Sequence, residues 1–283
     1  MRILFTSDLH GNPVFYQDIL RLTERGTVNR IILGGDLLPG RGHGDESLKE
    51  QHRFIEEVFI PFLEKVHDQG LSPTLCLLGN NDWQDVLPRL SELDRQGLLW
   101  NLHDHDCPVE DCLTVKGYPF VPPTPFPPKD FEKRDLTGDP VKTTTYYPVI
   151  SIEAKLRRAN ETEWFTRRPS IEEDLAQWTL KETENTILVM HSPPHDTMLD
   201  RLYNARPAGS RAIRAFIETH QPLLTLHGHV HESPVVSGKI WDRLGKTLCI
   251  NPGQSSGLLS ALTIDPRQPE RMTHTVFGPQ TLD

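Results

Sequence analysis

The sequence predicts an α/β fold. Three observations carry that expectation: short apolar runs of strand length recur along the 283 residues, most of them end in Gly, Asp, Asn or His, and longer segments of helical period alternate with them. In order, strands are expected over 3–7, 30–34, 74–78, 113–117, 186–190, 223–226, 247–250 and 258–264. Helices are expected over 13–24, 46–69, 84–95, 170–182 and 210–219, the last with Ser210 as its N-cap.

The chain is long enough for one large domain or two small ones, and we read residues 1–283 as a single domain. From 118 to about 169 the alternation fails. The run Pro119-Phe120-Val121-Pro122-Pro123-Thr124-Pro125-Phe126-Pro127-Pro128 can form neither a helix nor a central strand, because proline has no N–H to donate. This segment is expected to be a long ordered loop or lid, which either links two strands or lines a substrate cleft.

Composition narrows the function classes. A formal net charge of −9 argues against sequence-independent binding to nucleic acid, which needs a basic face to displace phosphate counterions. Arg157-Arg158, Arg167-Arg168 and the stretch from Arg201 to Arg214 could form local basic patches, though solvated surface charge accounts for them as well. The first residues enter an apolar run at once, without a basic region or a long apolar stretch, so neither export nor membrane insertion is expected. Cys76, Cys107, Cys112 and Cys249 follow no zinc-finger or redox spacing, which fits a reducing cytoplasm.

Five polar clusters close apolar runs. Asp8-Leu9-His10 follows 3–7 and presents two ligating side chains, two residues apart, at a strand end. Gly34-Gly35-Asp36 follows an Ile-Ile-Leu run, with glycines that let the backbone approach a ligand. Gly79-Asn80-Asn81-Asp82 and His191 close two more runs. Gly228-His229-Val230-His231 is the most specific of the five, with paired histidines at i and i+2. Singly, each reads as a turn, a helix cap or a packed histidine. Together they should converge on one crevice at the carboxyl edge of an α/β sheet. Carboxylate, imidazole and amide ligands without thiolate suit Mn²⁺, Fe or Zn²⁺, and a shared aspartate can hold two ions about 3.5–4 Å apart.

The order D-x-H, G-D, G-N-x-D, H, G-H-x-H, spanning residues 8 to 231, resembles the calcineurin-like metallophosphoesterase superfamily. His191-Ser192-Pro193-Pro194, Gly209-Ser210, Gln221-Pro222 and the Asn251-Pro252-Gly253 turn are similar to phosphoesterases related to the Icc-type cyclic nucleotide phosphodiesterases. The resemblance implies a four-layer αββα sandwich and two divalent or trivalent metal ions. One would be held by Asp8, His10 and His231, the other by Asn80, His191 and His229, with Asp36 bridging. It also implies hydrolysis of a small phosphoester, a diester before a monoester, through a hydroxide shared by the ions.

One position departs from the family. Where members carry a histidine that protonates the leaving oxygen, this chain has Asn81, whose amide can donate a hydrogen bond but delivers no proton at neutral pH. Asp82, which in the family orients that histidine, is expected to fix Asn81 instead. His195 and His43 are the nearby candidates for a substitute donor. The altered position also leaves room for a scaffold reading, in which a catalytically weak member of the fold binds another protein. The intact set of seven ligands speaks for an enzyme.

Overall fold

The computed structural model describes residues 1–40, 44–141, 144–145 and 147–282, so His43 lies outside the described residues. The first half runs β1 (Ile3–Thr6), α1 (Pro13–Thr23), β2 (Arg30–Gly34), α2 (Asp45–Phe54), α3 (Ile60–Asp68), β3 (Thr74–Leu77), α4 (Leu87–Arg95), β4 (Leu99–Asn101), β5 (Cys107–Pro108) and β6 (Thr114–Tyr118). An insertion follows with the hairpin β7 (Val149–Ile152) and β8 (Lys155–Arg158), then α5 (Glu161–Thr166) and α6 (Ile171–Ala176). The rest is β9 (Thr186–Met190), α7 (Arg211–His220), β10 (Leu224–Leu226), α8 (Ser233–Ser237), β11 (Trp241–Leu244), β12 (Thr247–Ile250), β13 (Ala261–Asp265), β14 (Gln268–His274) and β15 (Gly278–Pro279).

Two large sheets result, ordered β15-β14-β13-β1-β2-β3-β4 and β11-β12-β10-β9-β6-β5, beside the two-stranded sheet β7-β8. Side chains alternate between the faces of each strand, and that alternation builds the layers. Ile3, Phe5, Ile32 and Leu77 of the first sheet share a core with Val115, Ile187, Val189 and Leu226 of the second. The intervening Leu4, Ile31, Leu33 and Cys76 turn to the other face and bury against Tyr16, Ile19, Phe62 and Leu90 of α1, α3 and α4. On the far side, Leu188, Met190 and Cys249 meet Leu175 of α6 and Ile213, Phe216 and Ile217 of α7. Helix, sheet, sheet, helix is therefore the order of layers. Strands buried on both faces explain why the sequence shows continuous apolar runs rather than alternation.

β1 pairs in parallel with β2, and β2 with β3; in the second sheet β9 pairs in parallel with β6 and β10. Their carboxyl ends therefore gather at one edge of each sheet. The two edges are tied to the loops beyond them by main-chain bonds, among them Asp8 N to Gly35 O at 2.8 Å and Gly228 N to His191 O at 3.0 Å.

Some expected elements differ. The helix expected over 46–69 is α2, a π-helical turn over Ile55–Phe59 and α3. The wider turn lies just before Pro61, whose missing N–H would leave an α-helical ladder one bond short. The helix expected over 170–182 stops at Ala176, beyond which Trp178 packs its ring edge-on against Tyr118 at 5.6 Å and Phe216 at 5.9 Å. Ser210 does cap α7, accepting from Ile213 N at 3.0 Å. No helix among the described residues is long and apolar enough to cross a membrane.

The insertion is more structured than a loop. Its Pro-rich run makes only isolated bridges at Val121 and Pro128, but the β7–β8 hairpin and α5 follow. Lys129, fully buried, anchors it by ion pairs to Glu132 at 2.8 Å and Glu161 at 3.6 Å.

His103, which the sequence did not single out, supports the site from behind β3. Its Nε2 accepts from Leu78 N at 2.7 Å, two residues before Asn80, and its ring lies 5.4 Å from that of Phe131. Burial pushes its pKa down to about 4, so it is neutral in the folded chain and can act as that acceptor. An unfolded histidine titrates near ~6.5, so the unfolded chain binds the extra proton first as pH falls. The contribution of His103 is thus fully present above pH ~6.5 and lost as pH falls towards about 4. The midpoint of thermal unfolding should fall over that interval, by roughly 2–4 °C per kcal/mol lost. His103→Gln, which keeps an acceptor but cannot titrate, should flatten part of the fall; parallel curves for the two proteins would contradict this.

Candidate metal centre

The loops after β1, β2 and β10 hold their polar side chains in strained backbone. Asp8, His10, Asp36 and His229 all have positive φ, at 59°, 45°, 51° and 66°. Non-glycine residues take up that region at a cost that functional sites commonly bear. Main-chain bonds fix the strained turns: His10 N donates to Asp36 O at 2.9 Å and Gly11 N to Leu37 O at 2.9 Å.

Asp8, His10, Asp36 and His231 each offer a ligand atom, and these four atoms lie within 4.8 Å of one another. Asp8 Oδ1 is 3.1 Å from His231 Nε2, which is itself 3.1 Å from His10 Nε2. Both oxygens of Asp8 also accept from His229 N, each at 3.1 Å. Beside this group, His191 Nε2 lies 3.3 Å from Asp36 Oδ1, and the His191 and His229 rings are 5.5 Å apart. Asn80 lies just beyond the end of β3, and Asn81 N donates to Asp36 Oδ1 at 2.7 Å. The structure thus gathers the residues of both expected ligand sets around Asp36.

Whether these residues suit metal ions can be tested on their unmet needs. Asn80 Oδ1 and His191 Nε2 are buried and neither makes a hydrogen bond, although His191 Nε2 faces the Asp36 carboxylate at 3.3 Å. Such orphans are costly. His191 Nδ1 lies 2.9 Å from Gly34 O and donates to it, which leaves the Nε2 lone pair free to ligate. Glycines clear the space: a Cβ at Gly79 would stand 2.3 Å from Asp36 Oδ1 and 2.5 Å from His191 Nε2, and one at Gly228 2.4 Å from Asp8 Oδ2. Oxygen and imidazole donors without thiolate complete a fit to hard or borderline cations.

Electrostatics point the same way. Burial opposes charge on Asp8, yet the imidazole of His231 beside it holds its carboxyl well below the usual range. Asp36 is likewise held low, its burial overcome by His191. Burial also disfavours the His191 imidazolium, but the Asp36 and Asp8 carboxylates override it and raise its pKa to about 9. Two buried anions thus draw positive charge to this edge.

Asp82 requires a correction. It does not fix the Asn81 side chain. Its carboxylate is fully buried and accepts from Leu38 N at 2.8 Å, Gly79 N at 2.9 Å and Leu37 N at 3.1 Å, binding the loop after β2 to the loop after β3. Burial, with Asp36 nearby, pushes its pKa up to about 7. The Asn81 amide instead lies 3.0 Å from His10 Nδ1. His195 makes its contacts elsewhere, with Nδ1 3.2 Å from Gly209 O and 3.8 Å from an Asp200 oxygen.

Three supporting residues escaped the sequence reading. Gln51 of α2 donates to Pro39 O and Asn81 O at 3.1 and 3.0 Å and accepts from Trp83 N at 2.8 Å. Its position, three after Leu48 and four before Ile55, puts a polar residue on a buried stripe, which was the available signal. Asn251, known only as part of a turn, sends its amide to Leu199 O, Gly228 O and Val230 O and so grips the G-H-x-H loop. Gln254 donates to Ser7 O at 3.0 Å, joining that grip to the end of β1.

Comparison with known proteins gives the family. Residues 1–233 match the family model described as calcineurin-like phosphoesterase. An uncharacterised protein of Methanocaldococcus jannaschii is 31% identical over 105 residues, which is 35% of this chain and 46% of that protein, so the chain spans about half the length of the relative it matches. A crystal structure from Thermus thermophilus superposes with a TM-score of 0.56 at 17% identity, covering 96% of this chain and 97% of that one. A dimetal phosphatase from Danio rerio superposes with a TM-score of 0.53 at 11% identity, covering 93% and 91%. At such identities the superpositions establish the fold alone.

A methyl group at Gly79 would intrude between Asp36 and His191, so Gly79→Ala should weaken divalent-cation binding, read with Mn²⁺. Disturbing groups that support ligands typically costs 10–100-fold in affinity, and about that loss is expected in titration calorimetry. Gly138→Ala, where a Cβ meets nothing within 4 Å, should titrate as wild type. Equal binding by the Gly79 and Gly138 variants would show that the cleared space serves no cation.

Proposed function

Because the chain belongs to the calcineurin-like phosphoesterase family, we propose that it is a binuclear metal-dependent phosphoesterase that hydrolyses a small phosphodiester. The observation that carries this reading is the pair of orphaned buried atoms, Asn80 Oδ1 and His191 Nε2, set against the cluster built on Asp8, His10, Asp36 and His231. On this reading Asp8, His10 and His231 would hold one Mn, Fe or Zn ion, Asn80, His191 and His229 would hold a second, and Asp36 would serve both. When bound, such a pair supplies a nucleophile at neutral pH by acidifying a shared water and offsets charge on the phosphoryl oxygens. The dimetal phosphatase with a similar fold is consistent with this assignment. A scaffold has no use for strained, buried carboxylates and imidazoles held ready at a sheet edge.

The chain's own residues divide the remaining work. Asp8 and Asp36 stay ionised despite burial, held low by His231 and His191. Gly34 O orients His191, and Asp82 ties together the loops that carry Asp36 and Asn80. Asn81 stands where the family places its proton donor, and it can offer a hydrogen bond to a departing oxygen but no proton. Departure of a good leaving group needs little protonation, so such esters should be the preferred substrates.

Asn81→His tests this assignment. A well-oriented general acid contributes typically 10² to 10⁴ fold, but Asp82 is committed to three main-chain donors and cannot orient the new imidazole. The gain should therefore be about tenfold at most, appearing in kcat for poor leaving groups and not for nitrophenyl esters. Plotted against leaving-group pKa, log kcat/KM of the variant should fall less steeply than that of the wild type. Parallel lines would remove Asn81 from the leaving-group side.

A further inference from the structure

A cavity of about 560 Å³ opens beside Asn81, between the core domain and the insertion. Asn81 and Trp83 form its metal-side wall; Phe126, Pro127, Tyr147 and Leu156 face them from the insertion. The wall is continuous with the candidate centre, since Asn81 N donates to Asp36 Oδ1 at 2.7 Å and its amide lies 3.0 Å from His10.

Much of the lining is apolar, and the Trp83 wall is held in place. Trp83 donates from Nε1 to Ser47 Oγ at 3.1 Å and from its main chain to Gln51 Oε1 at 2.8 Å. Across the cavity, Leu156 N donates to Asp45 Oδ1 at 2.7 Å, Asp85 N to Ser151 Oγ at 3.0 Å and Gln84 N to Asp130 Oδ2 at 2.9 Å. These bonds join the insertion to α2 and to the loop that follows Asn81, so its position is set by the residues that carry the centre. Phe126 and Tyr147 nevertheless leave 57% and 58% of their surface exposed, with the Tyr147 ring 5.3 Å from the Arg158 guanidinium. Exposed aromatic side chains at the mouth of a preformed cavity offer stacking faces to a ligand.

The geometry points to a specificity pocket: the insertion receives a planar aromatic group esterified to the phosphorus, on the Asn81 side of the centre. Its volume falls within the ~300–1,000 Å³ of small-molecule sites and accommodates a bicyclic ring. The substrate class is then an aromatic phosphodiester rather than one with small alkyl arms. This assignment rests on the phosphoesterase reading for the chemistry, but not for binding.

The test separates the two. Manganese-loaded enzyme is assayed on phenyl methyl and 2-naphthyl methyl phosphodiesters, whose leaving groups are of similar acidity, and binding of 2-naphthylphosphonate and methylphosphonate is measured by calorimetry. An added apolar ring in a fitted pocket is worth roughly tenfold or more, so the naphthyl ester should lead by about that ratio in kcat/KM. Phe126→Ala and Tyr147→Ala should each reduce the ratio, while Tyr203→Ala, on a side chain 80% exposed and outside the cavity, should not. Hydrolysis with a ratio near one, or a ratio untouched by both variants, overturns the pocket and spares the phosphoesterase. Absent hydrolysis with naphthylphosphonate binding tighter than methylphosphonate, and weakened by the two variants, does the reverse. Neither hydrolysis nor binding rejects both.

Discussion

Two carboxylates, Asp8 and Asp36, are buried almost completely at one sheet edge and lie close enough to share neighbours. Taking a charge out of water costs several kcal/mol unless opposite charge or hydrogen bonds replace the lost hydration. Here the replacement comes from His231, His191, the His229 amide and the Asn81 amide. Little else about this edge is free to vary once those two residues are placed. The strained φ at four loop positions, the glycines at 79 and 228 and the imidazoles turned inward all follow from packing donors around two buried anions.

That requirement also explains the polar residues behind the site. A loop carrying a strained ligand must have its main-chain groups bound elsewhere, or it would relax. Asp82, Gln51 and Asn251 perform that task, each binding three or more main-chain groups from different segments. Their carboxylate and amide groups are spent on the backbone. An acid in the sequence next to a catalytic position can thus be wholly structural in its contacts.

Much of this was legible in the sequence, because it is written in local patterns. Strands at 30–34, 186–190 and 247–250 coincide with β2, β9 and β12, since strands buried on both faces advertise themselves as unbroken apolar runs. The seven candidate ligand positions stood out because they close such runs, and the αββα layering followed from resemblance. What escaped was non-local or polar. β11, with Asp242 and Arg243 at its centre, lies at a sheet edge where burial sets no alternation, and β14 buries Met272 and His274 among polar residues. The partners of Asp82 sit some 45 residues away, at Leu37 and Leu38, and no spacing reveals them. The segment read as an ordered loop or lid, and its hairpin and helix escaped because a buried lysine and bonds to α2, rather than periodicity, help to fix it.

The central claim is that Asp36 is shared by two cations. It is tested most directly by electron paramagnetic resonance of the protein titrated with Mn²⁺. A bridging carboxylate holds the ions about 3.5–4 Å apart, a separation at which their spins couple. The account predicts that the second equivalent replaces the six-line spectrum of isolated Mn²⁺ with the multiline spectrum of a coupled pair, and that Asp36→Asn abolishes the coupling. A six-line spectrum that only grows in intensity up to two equivalents would contradict it.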